Sequence, residues 1–236
     1  MEQYINPNKL NPKHKKKRNT TNFKPDHRQP HLRVKVAYPQ SITYEDKFMS
    51  NDVVLVNHLF NDNSIYQKLL DELKQAMKEL YPNNNHNVWK LWHGDTHFIA
   101  DDHLNWKEKC PYFNEIVDKA CSYFKMQPKA TRMNWYKNSK EWKPFHHDAA
   151  AVDKRKAKTQ NLTIGISFGA TREIAFENNY SKTRIAFPMN DCFVYAFGKD
   201  VNIKWKHGIP QLPPNKQNNS GRISIIIWGK NDQSYK

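Results

Sequence analysis

The stretch Gly221-Arg222-Ile223-Ser224-Ile225-Ile226-Ile227-Trp228 is dominated by β-branched residues, which favour a pleated, packed strand over a helix. Side chains alternate along such a strand, so Arg222 and Ser224 share one face, and it is the inward one. A guanidinium held inside a β structure is costly unless an anion pairs with it. This run therefore predicts both a β core and a polar, anion-binding interior.

Working outward, short β-type runs separated by turn residues occupy 131–136, 144–148, 161–168, 172–177, 183–187, 192–197 and 201–207. With 222–228 they predict a jelly roll or barrel. Upstream, Val53–Val56 reads as a strand, and Asn63 or Ser64 then caps a helix carrying Ile65, Leu69, Leu73, Met77 and Leu80 on one face. A second helix starts near Pro111 and lines up Phe113, Ile116, Val117, Ala120 and Phe124. Helices first and strands afterwards give an α+β chain dominated by β, with two helices covering a sheet.

In Pro144-Phe145-His146-His147-Asp148 an extended backbone sends His146 and Asp148 to the same face. In Val201-Asn202-Ile203-Lys204-Trp205-Lys206-His207 the alternation predicts a strand with Ile203, Trp205 and His207 inward and Lys204 and Lys206 in water. Two imidazoles and a carboxylate on one face of a metal, with the other positions open, suit non-haem iron(II) chemistry. A His-x-Asp pair alone is weak evidence, since a buried histidine bonded to an aspartate is the commoner outcome. Arg222 adds the missing element, because a dicarboxylate cosubstrate matches its fork bidentately and Ser224 adds a donor. Asn134 and Tyr136 alternate onto one face of the 131–136 run and aim at the same cavity, although taken alone ordinary strand polarity is the better account of them.

The 236 residues suffice for one good-sized domain, and with 38% hydrophobic and 13% aromatic residues global disorder is excluded. No apolar run approaches a membrane span, and the basic, polar N-terminus is unlike a signal peptide, so an intracellular protein, nuclear or cytoplasmic, is expected. Cys110, Cys121 and Cys192 lack the pairing of a disulfide framework or a zinc-thiolate site. The formal charge is +15, of which +8 sits in residues 1–40, where His14-Lys15-Lys16-Lys17-Arg18 has no acidic partner nearby. Residues 1–45 read as a disordered basic arm that serves as a localisation signal, a phosphate contact or a solvated tail. The catalytic domain then spans 46–230, followed by a tail over 231–236, and a monomer is the simplest expectation.

Together these residues resemble the AlkB-like branch of the 2-oxoglutarate and Fe(II)-dependent dioxygenases. The matching motifs are Asn134-Trp135-Tyr136, His146-His147-Asp148, Ile166-Ser167-Phe168-Gly169-Ala170-Thr171-Arg172-Glu173, Trp205-Lys206-His207-Gly208-Ile209-Pro210 and Arg222-Ile223-Ser224, in that order. The resemblance implies a double-stranded β-helix with iron on His146, Asp148 and His207. It also implies 2-oxoglutarate on Arg222, Ser224, Asn134 and Tyr136, with dioxygen as the oxidant. The departure is Trp228, where AlkB-like nucleic-acid demethylases generally carry a second arginine.

The resemblance makes oxidative demethylation of a methylated nucleic acid the expected activity. The alternatives are a hydroxylase or demethylase of a protein or small molecule, and a non-catalytic nucleic-acid binder on the same fold. Trp89 and Trp92 lie where the family often builds a substrate lid and could stack on a base, although core packing is the commoner fate of aromatics. Lys154, Arg155 and Lys156 follow the His-x-Asp strand and could hold phosphates of RNA or DNA at the mouth of the site, or simply be solvated. His97, Asp101, Asp102 and His103 read as surface polar groups.

Overall fold

The computed structural model describes residues 32–39, 50–80, 89–91, 94–102 and 105–231. The basic run at 14–18, Trp92, His93, His103 and residues 232–236 lie outside them.

Among the described residues eleven strands form two sheets. The first strands are β1 (Arg33–Ala37), β2 (Asp52–Val56), β3 (Phe98–Asp101), β4 (Gln127–Tyr136) and β5 (Lys143–His146). They are followed by β6 (Leu162–Gly169), β7 (Arg172–Asn178), β8 (Arg184–Met189), β9 (Phe193–Gly198), β10 (Trp205–Ile209) and β11 (Arg222–Lys230). The larger sheet has the order β1-β2-β9-β6-β11-β4-β3 and the smaller β5-β10-β7-β8. The expected jelly roll is present, with β11 central between β6 and β4.

Strict alternation gives the larger sheet two different faces. From β11, Ile223, Ile225 and Ile227 join a core with Val54 and Val56 of β2, Ile164 and Ile166 of β6 and Val194 and Ala196 of β9. Over that face lie helices α1 (Ile65–Leu80) and α2 (Pro111–Tyr123), burying Ile65, Leu69 and Leu73 from one and Phe113, Ile116 and Val117 from the other. The opposite face meets the smaller sheet through Val53, Leu55, Tyr195, Phe197, Ile174, Phe176 and Trp205.

One helix holds the start of the other. Cys110 provides no side-chain cap for α2, and Glu72 of α1 fills the gap by accepting from the N–H groups of Tyr112 and Phe113, at 2.7 and 2.9 Å. A carboxylate there satisfies donors that a helix start leaves open and opposes the helix dipole. At the start of α1 Ser64 takes the expected N-cap position, its carbonyl accepting from the Lys68 N–H at 3.0 Å, and the Asp62 carboxylate accepts from the Ser64 N–H and hydroxyl and pairs with Lys68.

Two expectations need correction, and one strand was not expected. Arg33–Ala37, placed in the basic arm, is a strand parallel to β2, stabilised by Arg33 and Lys35 pairing with the buried Asp52. Phe98–Asp101 is an edge strand on β4 that no clear alternation announced. Most consequentially, the strand expected over 201–207 starts as a short helix, α3 being the turn Lys154–Ala157 and α4 being Lys199–Lys204. The Ser50 carbonyl accepts from the N–H groups of Asp200 and Val201, and the Ser50 hydroxyl bonds the Asp200 carboxylate, so the chain coils before it extends. Ile203 is consequently exposed, and the alternation that carries Trp205, His207 and Ile209 inward begins only at Trp205.

Gly165 of β6 lies under the Tyr195 ring, and a Cβ built there would fall 2.1 Å from the ring's Cζ. We expect Gly165→Ala to lose about 1–3 kcal/mol in a denaturant titration through this overpacking; wild-type stability would contradict the packing described.

Candidate metal and cosubstrate site

His146 and His207 are direct cross-strand partners of β5 and β10, which sets their ring centroids 4.4 Å apart. Asp148 follows on extended backbone just past β5, and its Oδ1 lies 3.5 Å from His207 Nε2, too far for a good hydrogen bond. Among the described residues these three side chains form a group whose ligand atoms all lie within 4.8 Å of one another.

Surrounding groups fix each member. His146 Nδ1 faces the Pro144 carbonyl at 2.9 Å and so carries the ring proton, leaving Nε2 as a lone pair. The Thr163 hydroxyl donates to Asp148 Oδ2 at 2.9 Å. Asn202, on α4, grips the Asp148 backbone, its Oδ1 accepting from the N–H at 2.9 Å and its Nδ2 donating to the carbonyl at 3.3 Å. Burial, helped by the nearby His207, pushes the His146 imidazole down to about 3. Burial opposes the charge on Asp148, yet the neighbouring His207 and His146 rings outweigh it and keep the carboxyl well below the ordinary range. Two imidazoles and an ionised carboxylate converging on one point form a donor set that fits a divalent transition metal.

Next to this group, Asn134, Tyr136 and Ser224 line a small cavity of about 30 Å³ together with His146, Asp148 and His207. Arg222 lies just beneath it, 1% exposed, with Nε donating to the Ser167 hydroxyl at 2.8 Å and the guanidinium 5.0 Å from the Tyr136 ring centroid. Its Nη1 is buried and makes no hydrogen bond. Burial alone lowers its pKa, with Tyr136 and Tyr195 acting in the opposite sense. A buried cation with an open donor beside a polar cavity fits a carboxylate ligand.

A second, larger cavity of about 460 Å³ opens onto two members of this group, His146 and Asp148. Its wall includes His146, Asp148, Arg132, Trp228, Asp101 and Lys156. Of the three expected phosphate contacts only Lys156 borders it; Lys154 and Arg155 are exposed on the turn nearby. Trp228 belongs to both cavities, and its indole Nε1 is buried without a hydrogen-bond partner.

Trp89 takes the core position that its reading favoured over stacking on a base: it lines neither cavity and is buried on the helix side of the larger sheet, 5.4 Å from Trp135. One assignment is overturned. His97 is not a surface group but is fully buried, stacked on Tyr136 and within reach of Asn134. Asp101 and Asp102 are likewise engaged, Asp101 with Arg132 and Asp102 with Thr131 and Lys107.

Sequence reasoning also missed Thr163, Ser167, Asn202 and Lys143. Thr163 and Ser167 carried a usable signal, since they alternate with Ile164 and Ile166 on β6 and so point at the metal group and at Arg222. Asn202 was hidden by the misread helix. Lys143 lines the small cavity, buried in a 2.8 Å pair with Asp95 that joins segments 48 residues apart.

Comparison with known proteins agrees with this geometry. Residues 55–227 match the model of the 2OG-Fe(II) oxygenase superfamily, and the chain belongs to that superfamily. Its fold is similar to the solved structure of OsALKBH1, with a TM-score of 0.50 at 12% identity, covering 75% of this chain and 97% of that one. No curated protein matches the sequence. The chain is thus a 2-oxoglutarate- and Fe(II)-dependent dioxygenase, using iron, 2-oxoglutarate and dioxygen.

His97 also makes a prediction about acid. Burial holds its imidazole down to about 4, against 6.5 unperturbed, so between those values the unfolded chain binds a proton that the folded chain refuses. The contribution of His97 is fully present above 6.5 and is lost as pH falls toward 4. Unfolding free energy measured across this window should decline less steeply in His97→Gln than in wild type; identical slopes would contradict a buried neutral ring.

Proposed function

We propose that His146, Asp148 and His207 hold the ferrous ion and that Arg222, Ser224, Asn134 and Tyr136 receive 2-oxoglutarate. The observation that carries this reading is the convergence of the three ligand atoms beside a buried guanidinium with an unused donor. When bound, the metal with its cosubstrate and dioxygen supplies C–H oxidation coupled to decarboxylation of 2-oxoglutarate to succinate. The protein's own part is positional. Pro144 and Thr163 keep His146 Nε2 and Asp148 Oδ1 available, Asn202 fixes the Asp148 backbone, and Ser167 aims Arg222. No helix among the described residues is long and apolar enough to cross a membrane.

For the substrate, we propose an N-methylated nucleic acid, whose oxidised methyl group leaves as formaldehyde. Three features support this. The larger cavity reaches His146 and Asp148 directly, its volume is of the size that takes a flipped base, and Lys156 stands on its wall. The chain's charge of +15 favours a polyanionic partner. One feature favours a protein or small-molecule substrate instead: Trp228 and the acidic Asp101 and Asp102 share that wall.

Succinate formation with Fe(II) across methylated oligonucleotides and peptides tests both levels. His146→Ala should abolish turnover, and Arg222→Ala should raise the KM for 2-oxoglutarate far more than it lowers kcat. Stimulation by a methylated oligonucleotide, weakening with salt, is the expected outcome; stimulation only by a peptide would move the substrate class. Asn202→Ala should reduce metal affinity by about 10–100-fold through loss of the clamp on Asp148. Unchanged affinity would mean the clamp is not needed.

A further inference from the structure

Arg172 opens β7 and is 3% exposed, yet it lines neither cavity. Its Nη1 donates to the Glu141 carbonyl at 2.7 Å and its Nη2 to the Pro210 carbonyl at 2.8 Å, while Nε is buried without a hydrogen bond. The Glu141 carboxylate is turned elsewhere and accepts from the Lys137 N–H. Burial first, and then the nearby Arg222, disfavour the charge on Arg172. A buried cation that directs its fork at two carbonyls recovers less of its desolvation cost than one paired with a carboxylate. The places of those two carbonyls show what it holds.

Glu141 stands two residues before β5 and Pro210 immediately after β10, the strands that carry His146 and His207. The register pairs between these strands are two, His207 with His146 and Ile209 with Lys143. The step from one pair to the next is two residues on β10 and three on β5, an irregularity at which the ladder is locally broken. In the other direction β5 ends at His146 itself. The histidine pair thus has a bulge on one side and the end of a strand on the other. With so few rungs, a contact beyond the bulge matters to the register.

Arg172 supplies that contact from the far side of β10. Its own strand, β7, is joined to β10 by four register pairs, from Trp205 with Asn178 to Gly208 with Ala175. β5, by contrast, is the edge strand of the smaller sheet, with β10 as its one neighbour there. The less restrained partner of the metal pair is therefore β5, and the Arg172 fork reaches the chain entering it across the end of β10. Two donors in one rigid plane fix two acceptors relative to each other, which a flexible amide or ammonium does less well.

We propose that Arg172 is a positioning residue for the metal pair: by joining the Glu141 and Pro210 carbonyls it fixes the register that sets His146 across from His207. This rests on those two histidines holding the metal. Arg172 touches neither metal nor substrate, and its effect passes entirely through the placement of β5 against β10.

Titration of the full chain with cobalt(II), read both as affinity and as the visible ligand-field spectrum, tests this. Arg172→Gln removes the fork and should weaken cobalt binding by about 10–100-fold and shift the spectrum, because the ligands leave their wild-type angles. Wild-type affinity or an unshifted spectrum overturns the proposal. Glu72→Gln is the control for general destabilisation, since it weakens the cap on α2 at the helix side of the larger sheet. It should unfold more easily and bind cobalt as wild type does; a loss as large as that of Arg172→Gln overturns the proposal. If Arg172→Gln does not fold, NMR of the wild-type guanidinium decides. A staple that favours the metal must be favoured by it in turn, so zinc should slow solvent exchange of the Arg172 Nη–H groups, and unchanged exchange overturns the proposal. His146→Ala separates the two levels. If it binds cobalt as tightly as wild type, the ligand assignment itself fails; if it loses binding while Arg172→Gln matches wild type, only the role of Arg172 fails.

Discussion

Antiparallel pairing of β5 with β10 puts His146 directly across from His207, and the rest of the site is arranged around that register. A slip of one residue would turn one imidazole to the other face of the sheet and separate the ligands. The register is guarded by backbone contact: a Cβ on Gly208 would come within 2.8 Å of the Lys143 carbonyl, so the strands approach this closely only with glycine there. The other edge of β10 is locked to β7, where His207 faces Phe176.

Around this pair the fold accepts an unfavourable interior. A guanidinium, a carboxylate, two imidazoles and an asparagine amide sit between sheets that elsewhere bury aromatic and aliphatic side chains. Desolvating ions costs several kcal/mol each, and incomplete pairing does not return it. The unused Nη1 of Arg222 and the unpartnered Nε1 of Trp228 mark where that cost is left open. The all-apolar opposite face of the larger sheet, covered by α1 and α2, supplies the stability that tolerates it. Scaffold and site are thus two faces of the same strands, most plainly in β11.

That division explains what could be read from the chain. Alternation in 222–228 is nearly ideal, so the inward position of Arg222 and Ser224 and the β architecture were legible. The paired His146 and Asp148 were legible for the same reason. Legibility ended where local pattern and tertiary contact disagree. Val201 to His207 alternates like a strand, yet contacts from Ser50, some 150 residues away, coil its first half. His97 sits in a segment with no clear period, and only the pairing of β3 with β4 carries it beside Asn134 and Tyr136. Trp89 belonged to an aromatic cluster for which core packing was the commoner expectation, and packing against Trp135 places it in the core.

The departure at Trp228 gains meaning from its position. It is the residue of β11 shared by the small cavity, the larger cavity and the neighbourhood of Asp148, so its bulk shapes the passage between the two cavities. Everything on either side of that passage assumes a single metal ion on the three converging ligands. The most direct measurement is metal content after anaerobic equilibration with Fe(II), for wild type and for His146→Ala and His207→Ala. The account predicts one ion per wild-type chain and loss of binding in both variants; full retention of iron when either histidine is removed would contradict it.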